Sequence, residues 1–233
     1  MTYVCDDGGD TTDRLAASPA EALTARVVRA GLIAILRSRT AEHYPALCAT
    51  LAESGVRVVE VTLTADDSLA AVGQLAREYA GSDVLVGAGT VVTGEQAEAC
   101  IEAGAEFLVS PAFTAEVLAV GRAAGVAVYP GALTPTEILT AHRGGASAVK
   151  LFPSSAVSPR YLRDVHAPMP DITLIPTGGV EIDTIGLWLA AGAGAVGLSS
   201  PLLGRAVTEG PDAALTDRAR RAVAAVAAAR EGA

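Results

Sequence analysis

A glycine-centred step recurs along the sequence at an interval close to 20 residues. Gly104, Gly125 and Gly145 lie between small residues and are 21 and 20 positions apart, and Gly192 follows 47 positions later, a distance of two intervals. Glycine suits the end of a helix and the turn into a strand, because it adopts the left-handed conformation at little cost. One strand and its crossover helix fill such an interval. The spacing therefore predicts a chain of βα units.

The residues between these steps support the same interpretation. From residue 31 onward, short β-branched runs alternate with Ala- and Leu-rich stretches of helical period, which predicts a parallel sheet. Eight strands are expected, at 32–36, 58–63, 84–87, 107–109, 127–129, 148–152, 173–176 and 195–198. Eight units favour a (β/α)8 TIM barrel, with an open doubly wound sheet as the alternative. An extra N-terminal helix is predicted at Pro19–Ala30 and a final helix at 213–230.

The composition is that of a single globular domain. Hydrophobic residues make up 51% and charged residues 18% of the 233 positions, which is too apolar for a disordered chain. We expect residues 18–233 to form one barrel domain. Residues 1–17 are expected to be a flexible acidic leader, because aspartates stand where a signal peptide would be basic and then apolar.

The charge balance limits the partners of the chain. Seventeen basic and 26 acidic residues give a net charge of −9, so the surface should repel nucleic acid and anionic membranes. No apolar run approaches the roughly 18 residues that would suggest a membrane span. Cys5, Cys48 and Cys100 are far apart and odd in number, which indicates a reducing compartment. A cytoplasmic location is therefore expected.

Lys150 is the most informative residue, because it is the only lysine in a chain with 16 arginines. Arginine stays protonated, whereas an amine in apolar surroundings can lose its proton and attack a carbonyl. Strand alternation places Lys150 on the face opposite Val149 and Leu151, and therefore inside a barrel. A catalytic role is favoured over a purely structural ion pair.

Other polar residues are expected at the same end of the sheet. Alternation turns Glu60 and Thr62 inward, Arg37 ends the first strand, and Thr90 follows the third. Glu60 needs a cationic partner and could serve as a general acid/base beside a Schiff-base lysine. A buried ion pair without chemistry is the alternative.

Two loops have the residues of a phosphate site. Gly178 and Gly179 follow the seventh strand, and Ser199 and Ser200 follow the eighth, where barrels commonly bind phosphate through backbone N–H groups. The glycine pair could instead only form a tight turn. No metal centre is expected, because the three histidines fall on predicted helices or their ends.

Seven short motifs extend this pattern over residues 32–203. They are Ala34-Ile35-Leu36-Arg37, Glu60-Val61-Thr62-Leu63-Thr64, Gly87-Ala88-Gly89-Thr90-Val91, Val109-Ser110-Pro111, Tyr129-Pro130-Gly131, Lys150-Leu151-Phe152-Pro153 and Pro176-Thr177-Gly178-Gly179-Val180. In this order and spacing the sequence resembles the bacterial 2-dehydro-3-deoxy-phosphogluconate (KDPG) aldolases. That family overlaps with the 4-hydroxy-2-oxoglutarate (KHG) aldolases and contains the class I lyases of the Entner-Doudoroff pathway.

The resemblance implies a trimer of barrels that needs no metal or organic cofactor. It implies that Lys150 forms a Schiff base with a 2-keto-3-deoxy sugar acid phosphate while Glu60 moves protons, releasing pyruvate and glyceraldehyde 3-phosphate. The substrate-binding residues expected on this basis are Arg37 and Thr90 for the pyruvyl carboxylate, Phe152 beside the lysine, Gly178, Gly179 and Ser200 for the phosphate, and Thr62 and Ser199 nearby.

Departures from the family pattern leave the substrate open. Thr64 stands where some members have an arginine, Ser154 and Ser155 replace a common Ala-Glu or Gly-Glu, and Ser199 replaces a glycine. A galactonate-type substrate or unphosphorylated 4-hydroxy-2-oxoglutarate therefore remain alternatives. A phosphosugar epimerase or isomerase, or a non-catalytic phosphosugar-binding protein, could also use this barrel.

Overall fold

The computed structural model describes residues 17–231, in which parallel strands alternate with helices. The strands are β1 (Leu32–Leu36), β2 (Val58–Thr62), β3 (Leu85–Gly89), β4 (Phe107–Val109), β5 (Ala127–Tyr129), β6 (Gly131–Ala132), β7 (Val149–Leu151), β8 (Leu174–Pro176) and β9 (Val196–Leu198). The leader predicted for residues 1–17 lies outside the described residues except for Ala17.

Helices follow the strands in the predicted order. They are α1 (Pro19–Ala30), α2 (Tyr44–Glu53), α3 (Ser68–Glu78), α4 (Gly94–Glu102), α5 (Ala115–Ala123), α6 (Pro135–Arg143), α7 (Pro159–His166), α8 (Ile185–Ala190), α9 (Ser200–Leu203), α10 (Ala206–Glu209) and α11 (Ala213–Glu231). Short 3₁₀-helices cover Ser154–Ala156 and Ile182–Thr184. The helix predicted at Pro19–Ala30 is confirmed at both ends, where Ser18 caps its start and Gly31 its end.

The strands form two curled parallel sheets. One has the order β5-β4-β3-β2-β1-β9 and the other β6-β7-β8. Pro130 separates β5 from β6, and an isolated bridge between Thr177 and Gly197 joins the ends of β8 and β9. The predicted α/β class is confirmed. The fifth strand continues past the expected position 129, and proline interrupts it because its nitrogen has no hydrogen to donate to the ladder.

Side chains from alternate strand positions form two separate cores. Val59, Val149 and Leu151 belong to the large cluster that includes helix side chains. Phe107 and Tyr129 belong to a smaller inner cluster together with Val27 of α1 and the inward positions of the other strands. The alternation predicted from the sequence therefore decides which strand residues reach the enclosed interior.

Helix α1 packs against this inner cluster. The hydroxyls of Thr24 and Tyr129 lie 3.2 Å apart and are hydrogen-bonded. Burial raises the pKa of Tyr129, so the ring brings an uncharged hydroxyl into the interior. With one end of the inner cluster covered by α1, the carboxyl ends of the strands are left as the open end.

The two described cysteines, Cys48 and Cys100, are free and buried. Burial raises the pKa of each thiol to about 11, because the charged thiolate is poorly solvated there. Over residues 17–231, none of the helices combines the length and apolar character needed to cross a membrane.

The repeated glycines adopt the backbone conformation that their spacing predicts. Their φ angles are all positive, at 99° for Gly104, 69° for Gly125, 95° for Gly145 and 103° for Gly192, and Gly55, which precedes β2, has a φ angle of 97°. Each glycine ends a βα unit by turning the chain from a helix toward the next strand.

A glycine-to-alanine pair separates the effect of conformation from that of space. Gly125 has φ of 69°, and no atom lies within 4 Å of the place that a Cβ would take, so Gly125→Ala should cost about 1–2 kcal/mol through conformation alone. The control Gly186→Ala lies in α8, where the nearest atom is 3.9 Å from such a Cβ, and should be neutral or stabilising by up to about 1 kcal/mol. Urea unfolding measures both. Equal effects of the two variants would contradict this explanation.

Candidate active site

Lys150 occupies the middle of β7 and is held there by backbone pairing on both sides. Its register partners are Gly131 of β6 and Ile175 of β8, and its N–H donates to the carbonyl of Pro130 at 2.9 Å. Because Val149 and Leu151 face the helix layer, the lysine side chain points into the interior and is 6% exposed. This is the placement that strand alternation predicts.

The side chains of Glu60 and Lys150 are in contact on the inner face of the curled sheets. The distance from Lys150 Nζ to Glu60 Oε1 is 3.6 Å, and the glutamate side chain is 2% exposed. Glu60 Oε1 has no hydrogen-bond partner among residues 17–231. A buried carboxylate oxygen without a hydrogen bond is costly, so this oxygen is available to a ligand proton close to the amine.

Gly89 makes the space that the glutamate occupies. A Cβ at this position would overlap the Glu60 carboxylate, whose Cδ would lie 2.5 Å away. Gly89 is on β3, directly beside the strand that carries Glu60. Any larger residue would push the carboxylate away from its observed position, so this glycine belongs to the construction of the site.

An aromatic ring borders the amine on its outer side. Lys150 Nζ lies 5.3 Å from the centre of the Phe152 ring, within the range of a cation–π contact. Phe152 also approaches the backbone of Gly178, where a Cβ would stand 3.0 Å from the ring. The ring therefore connects the lysine strand to the glycine loop.

An open cavity of about 560 Å³ lies at the carboxyl ends of the strands above this pair. Seven predicted site residues line it: Arg37, Lys150, Phe152, Gly178, Gly179, Ser199 and Ser200. Glu60 lies below, where it lines a much smaller inner cavity together with Lys150 and Thr177. The structure thus brings most of the predicted residues to one place.

Arg37 and Thr90 form a pair at the side of this cavity. Arg37 Nη2 donates to Thr90 Oγ1 at 3.4 Å, and Thr90 itself is not part of the cavity lining. Thr90 has φ of 61°, which for a β-branched residue costs on the order of 1–3 kcal/mol. Strained backbone of this kind is common in binding sites, and here it directs the hydroxyl toward the arginine.

Thr62 is buried, and its hydroxyl is directed to the backbone. Thr62 Oγ1 donates to the carbonyl of Leu36 at 3.0 Å and lies 2.9 Å from Thr64 Oγ1. It does not line the cavity. These bonds join the ends of β1 and β2 and thereby support the loop that carries Arg37.

The glycine pair after β8 has a structural requirement of its own. Gly178 and Gly179 have φ angles of 74° and 105°, and a Cβ on Gly179 would stand 2.5 Å from the nitrogen of Ser155. The neighbouring Ser154 hydroxyl donates to Leu151 O at 2.7 Å and accepts from the N–H of Thr177 at 3.0 Å. Ser154 and Ser155 therefore hold the loops after β7 and β8 together.

Comparison with known proteins agrees with this geometry. The model of the family described as KDPG and KHG aldolase matches residues 23–218. The chain belongs to this family. It is therefore an aldolase, an enzyme of the lyase class.

The relatives that are similar to this aldolase include proteins named as phosphogalactonate aldolases and proteins named as phosphogluconate aldolases. The 2-dehydro-3-deoxy-6-phosphogalactonate aldolase of Escherichia coli (strain K12) is 36% identical over 172 residues, covering 73% of this chain and 83% of the relative. The 2-dehydro-3-deoxy-phosphogluconate aldolase of Treponema pallidum is 34% identical over 163 residues, covering 70% and 77%. A solved structure described as native KDPGal matches with a TM-score of 0.78 at 33% identity, covering 86% of this chain and 96% of that one.

Six residues that were not predicted as site residues also line the cavity of the aldolase. They are Ile35, Thr177, Val180, Glu181, Gly197 and Pro201. Alternation along β1 and β9 could have identified Ile35 and Gly197, and Thr177 adjoins the predicted glycine pair. Glu181 had no such signal, because a carboxylate just before a helix is also a common helix cap. Among residues 17–231, the structure brings together no three His, Cys, Asp or Glu side chains suited to a metal ion.

A substitution at Thr62 tests whether its hydroxyl supports the backbone or the substrate. Thr62→Val should lower the free energy of unfolding by about 1–2 kcal/mol, because the Leu36 carbonyl loses its donor. The KM of the aldolase should stay within about twofold of the wild-type value, since removal of a purely structural bond leaves substrate binding intact. Thr62→Ser is the control and should restore stability. A large rise in KM without loss of stability would assign Thr62 to the substrate.

Proposed function

We propose that this aldolase is a class I enzyme that cleaves 2-keto-3-deoxy-6-phosphogluconate into pyruvate and glyceraldehyde 3-phosphate. The proposal is carried by the buried contact of 3.6 Å between Lys150 and Glu60 below the cavity. A nucleophilic amine and a proton-transfer group are what Schiff-base cleavage needs within reach of each other.

In the proposed reaction Lys150 supplies the covalent step. Its uncharged amine attacks the keto carbon C2, and the carbonyl oxygen takes up protons and leaves as water, so that a protonated imine forms. The C3–C4 bond then breaks and its electron pair moves toward the imine nitrogen. The C4 hydroxyl becomes the aldehyde product, and an enamine of pyruvate stays on the lysine.

Glu60 serves as the proton-transfer group in this scheme. Its Oε1, which forms no hydrogen bond within residues 17–231, accepts the proton of the C4 hydroxyl during bond cleavage and then returns a proton to C3 of the enamine. Water hydrolyses the resulting imine, which releases pyruvate and regenerates the amine.

The rest of the cavity would orient the substrate. We assign the pyruvyl carboxylate to Arg37, with Thr90 fixing the guanidinium, because an arginine can bind a carboxylate through two hydrogen bonds. We assign the binding of the distal phosphate to two loops that offer N–H and hydroxyl donors, those of Gly178 with Gly179 and of Ser199 with Ser200. Thr62 would contribute indirectly, through the loop after β1.

A second candidate substrate is the galactonate-type epimer, which is favoured by the similarity to the Escherichia coli phosphogalactonate aldolase. The shorter 4-hydroxy-2-oxoglutarate, which would give pyruvate and glyoxylate, fits the same chemistry. Rates with the three compounds decide which one the enzyme prefers.

We also propose that the two sheets close into a single (β/α)8 barrel and that the enzyme is a homotrimer. Closure is supported by the short break at Pro130 and the bridge between Thr177 and Gly197. Association is supported by Val92 and Phe113, apolar side chains that are 42% and 37% exposed in loops after the neighbouring strands β3 and β4. Light scattering measures the mass in solution and tests the trimer.

Borohydride trapping tests the Schiff base. With pyruvate present, reduction should leave a permanent adduct on Lys150, which peptide mapping can locate easily because the chain has no other lysine. Lys150→Met is the control and should give no adduct at that peptide. An epimerase or a binding protein would form no adduct, and that result would refute the proposed mechanism.

Proton exchange tests the role of Glu60. Glu60→Gln should slow the exchange of pyruvate methyl protons by about 10²–10⁴-fold, because general acid–base catalysis typically contributes that much. The adduct with Lys150 should still be trapped. Glu102→Gln, an exposed carboxylate at the end of α4, is the matched control and should exchange normally. Normal exchange in Glu60→Gln would mean that another group moves the proton.

A further inference from the structure

The charges that line the main cavity are distributed unevenly. It has two cationic side chains, Arg37, which directly follows β1, and Lys150, in the middle of β7. The wall formed by the loops after β8 and β9 contributes glycines, serines and one charged side chain, the carboxylate of Glu181. This wall would receive the end of the substrate that is remote from the keto acid. Its lining therefore has one negatively charged side chain and no positively charged one.

Glu181 is held in this position by hydrogen bonds at the start of the 3₁₀-helix Ile182–Thr184. Its carbonyl accepts the backbone N–H of Thr184 at 3.0 Å, and its own N–H donates to Thr184 Oγ1 at 3.1 Å. The two bonds fix the backbone of Glu181 at the edge of the cavity, which its exposed side chain lines. The carboxylate thus belongs to a residue that the turn holds in the cavity wall.

No cation within the described part of the chain forms a salt bridge with Glu181. The contrast with Asp183, two residues later, is informative, since its Oδ1 lies 3.0 Å from Arg221 Nη2. The charge of Asp183 is compensated outside the cavity, whereas the charge of Glu181 acts on whatever enters it.

We infer that Glu181 is a specificity-determining residue that weakens the binding of a phosphate dianion at the distal end. This inference rests on the proposed function and refines its substrate class. A phosphate ester carries about −1.5 to −2 charges at neutral pH. Even with the dielectric constant of water, repulsion between unit charges about 4 Å apart weakens binding about fivefold.

A neutral hydroxyl end escapes this repulsion and can still use the serine hydroxyls and backbone N–H groups. The penalty therefore falls on phosphorylated 2-keto-3-deoxy sugar acids alone and narrows the difference in efficiency between them and the unphosphorylated compounds. The carboxylate end of either substrate is unaffected, because it lies on the side of Arg37.

Steady-state kinetics of Glu181→Gln test the inference, because glutamine keeps the size and shape of the side chain and removes the charge. For 2-keto-3-deoxy-6-phosphogluconate, kcat/KM should rise about fivefold or more, through a lower KM. For unphosphorylated 2-keto-3-deoxygluconate it should change by less than about twofold. The gain should shrink in about 1 M salt, where the screening length is only about 3 Å.

Two controls make the outcome decisive. Glu102→Gln removes an exposed carboxylate outside the cavity lining and should leave both efficiencies unchanged. Calorimetric titration with inorganic phosphate needs no turnover, and phosphate should bind more tightly to Glu181→Gln than to the wild type. If Glu181→Gln changes neither substrate, or both equally, the inference is wrong.

Trapping with pyruvate in the same preparations separates this inference from the proposed function. Pyruvate has no distal end, so its adduct reports only on Lys150. An adduct together with unchanged selectivity in Glu181→Gln overturns the role of Glu181 alone. Absence of the adduct overturns the Schiff-base function itself.

Discussion

The buried pair of Lys150 and Glu60 is the interaction on which the site depends. Removing two charges from water is expensive, and their attraction compensates for this cost only when the geometry is good. At 3.6 Å the contact between Lys150 Nζ and Glu60 Oε1 is too long for a hydrogen bond, so the pair is far from an optimal structural salt bridge. Its position below an open cavity is therefore better explained by chemistry than by stability.

The surrounding residues show how the fold accommodates this pair. Gly89 leaves the space beside the carboxylate, and the carbonyl of Pro130 holds the backbone of the lysine strand. The Phe152 ring borders the amine toward the glycine loop. Each contact joins a different strand or loop, so the position of the amine depends on the register of the whole sheet. Small residues matter here because they allow charged side chains to fit inside a closely packed interior.

The cavity lies above this buried pair and has opposite charges on its two sides. Arg37 marks one side as suitable for a carboxylate, while Glu181 makes the other side less favourable for an anion. A keto acid that is charged at one end would therefore be oriented by the electrostatic field before any covalent bond forms. Specificity then depends on the loops after the strands, and the reaction depends on the strands themselves.

Local sequence patterns were sufficient to predict most of the strands and helices and the direction in which the side chains of Lys150 and Glu60 point. The glycine steps and the alternation of apolar residues predict the strand positions, the limits of α1 and the inward faces of Lys150 and Glu60, because these properties depend on neighbours within a few residues. The order and spacing of seven short motifs were also enough to indicate the family. The break at Pro130 was not anticipated from the run that ended at Tyr129.

Only the tertiary structure decided which of these side chains meet. Glu60 and Lys150 are 90 positions apart in the sequence, and their contact results from strand register and curvature, which local patterns do not specify. The same holds for Thr62, whose hydroxyl is bound to the Leu36 carbonyl, and for Glu181, which lines the cavity because a 3₁₀-turn holds its backbone there. The sequence determined the chemical groups and the faces they occupy, whereas packing between distant segments determined the distances on which chemistry depends.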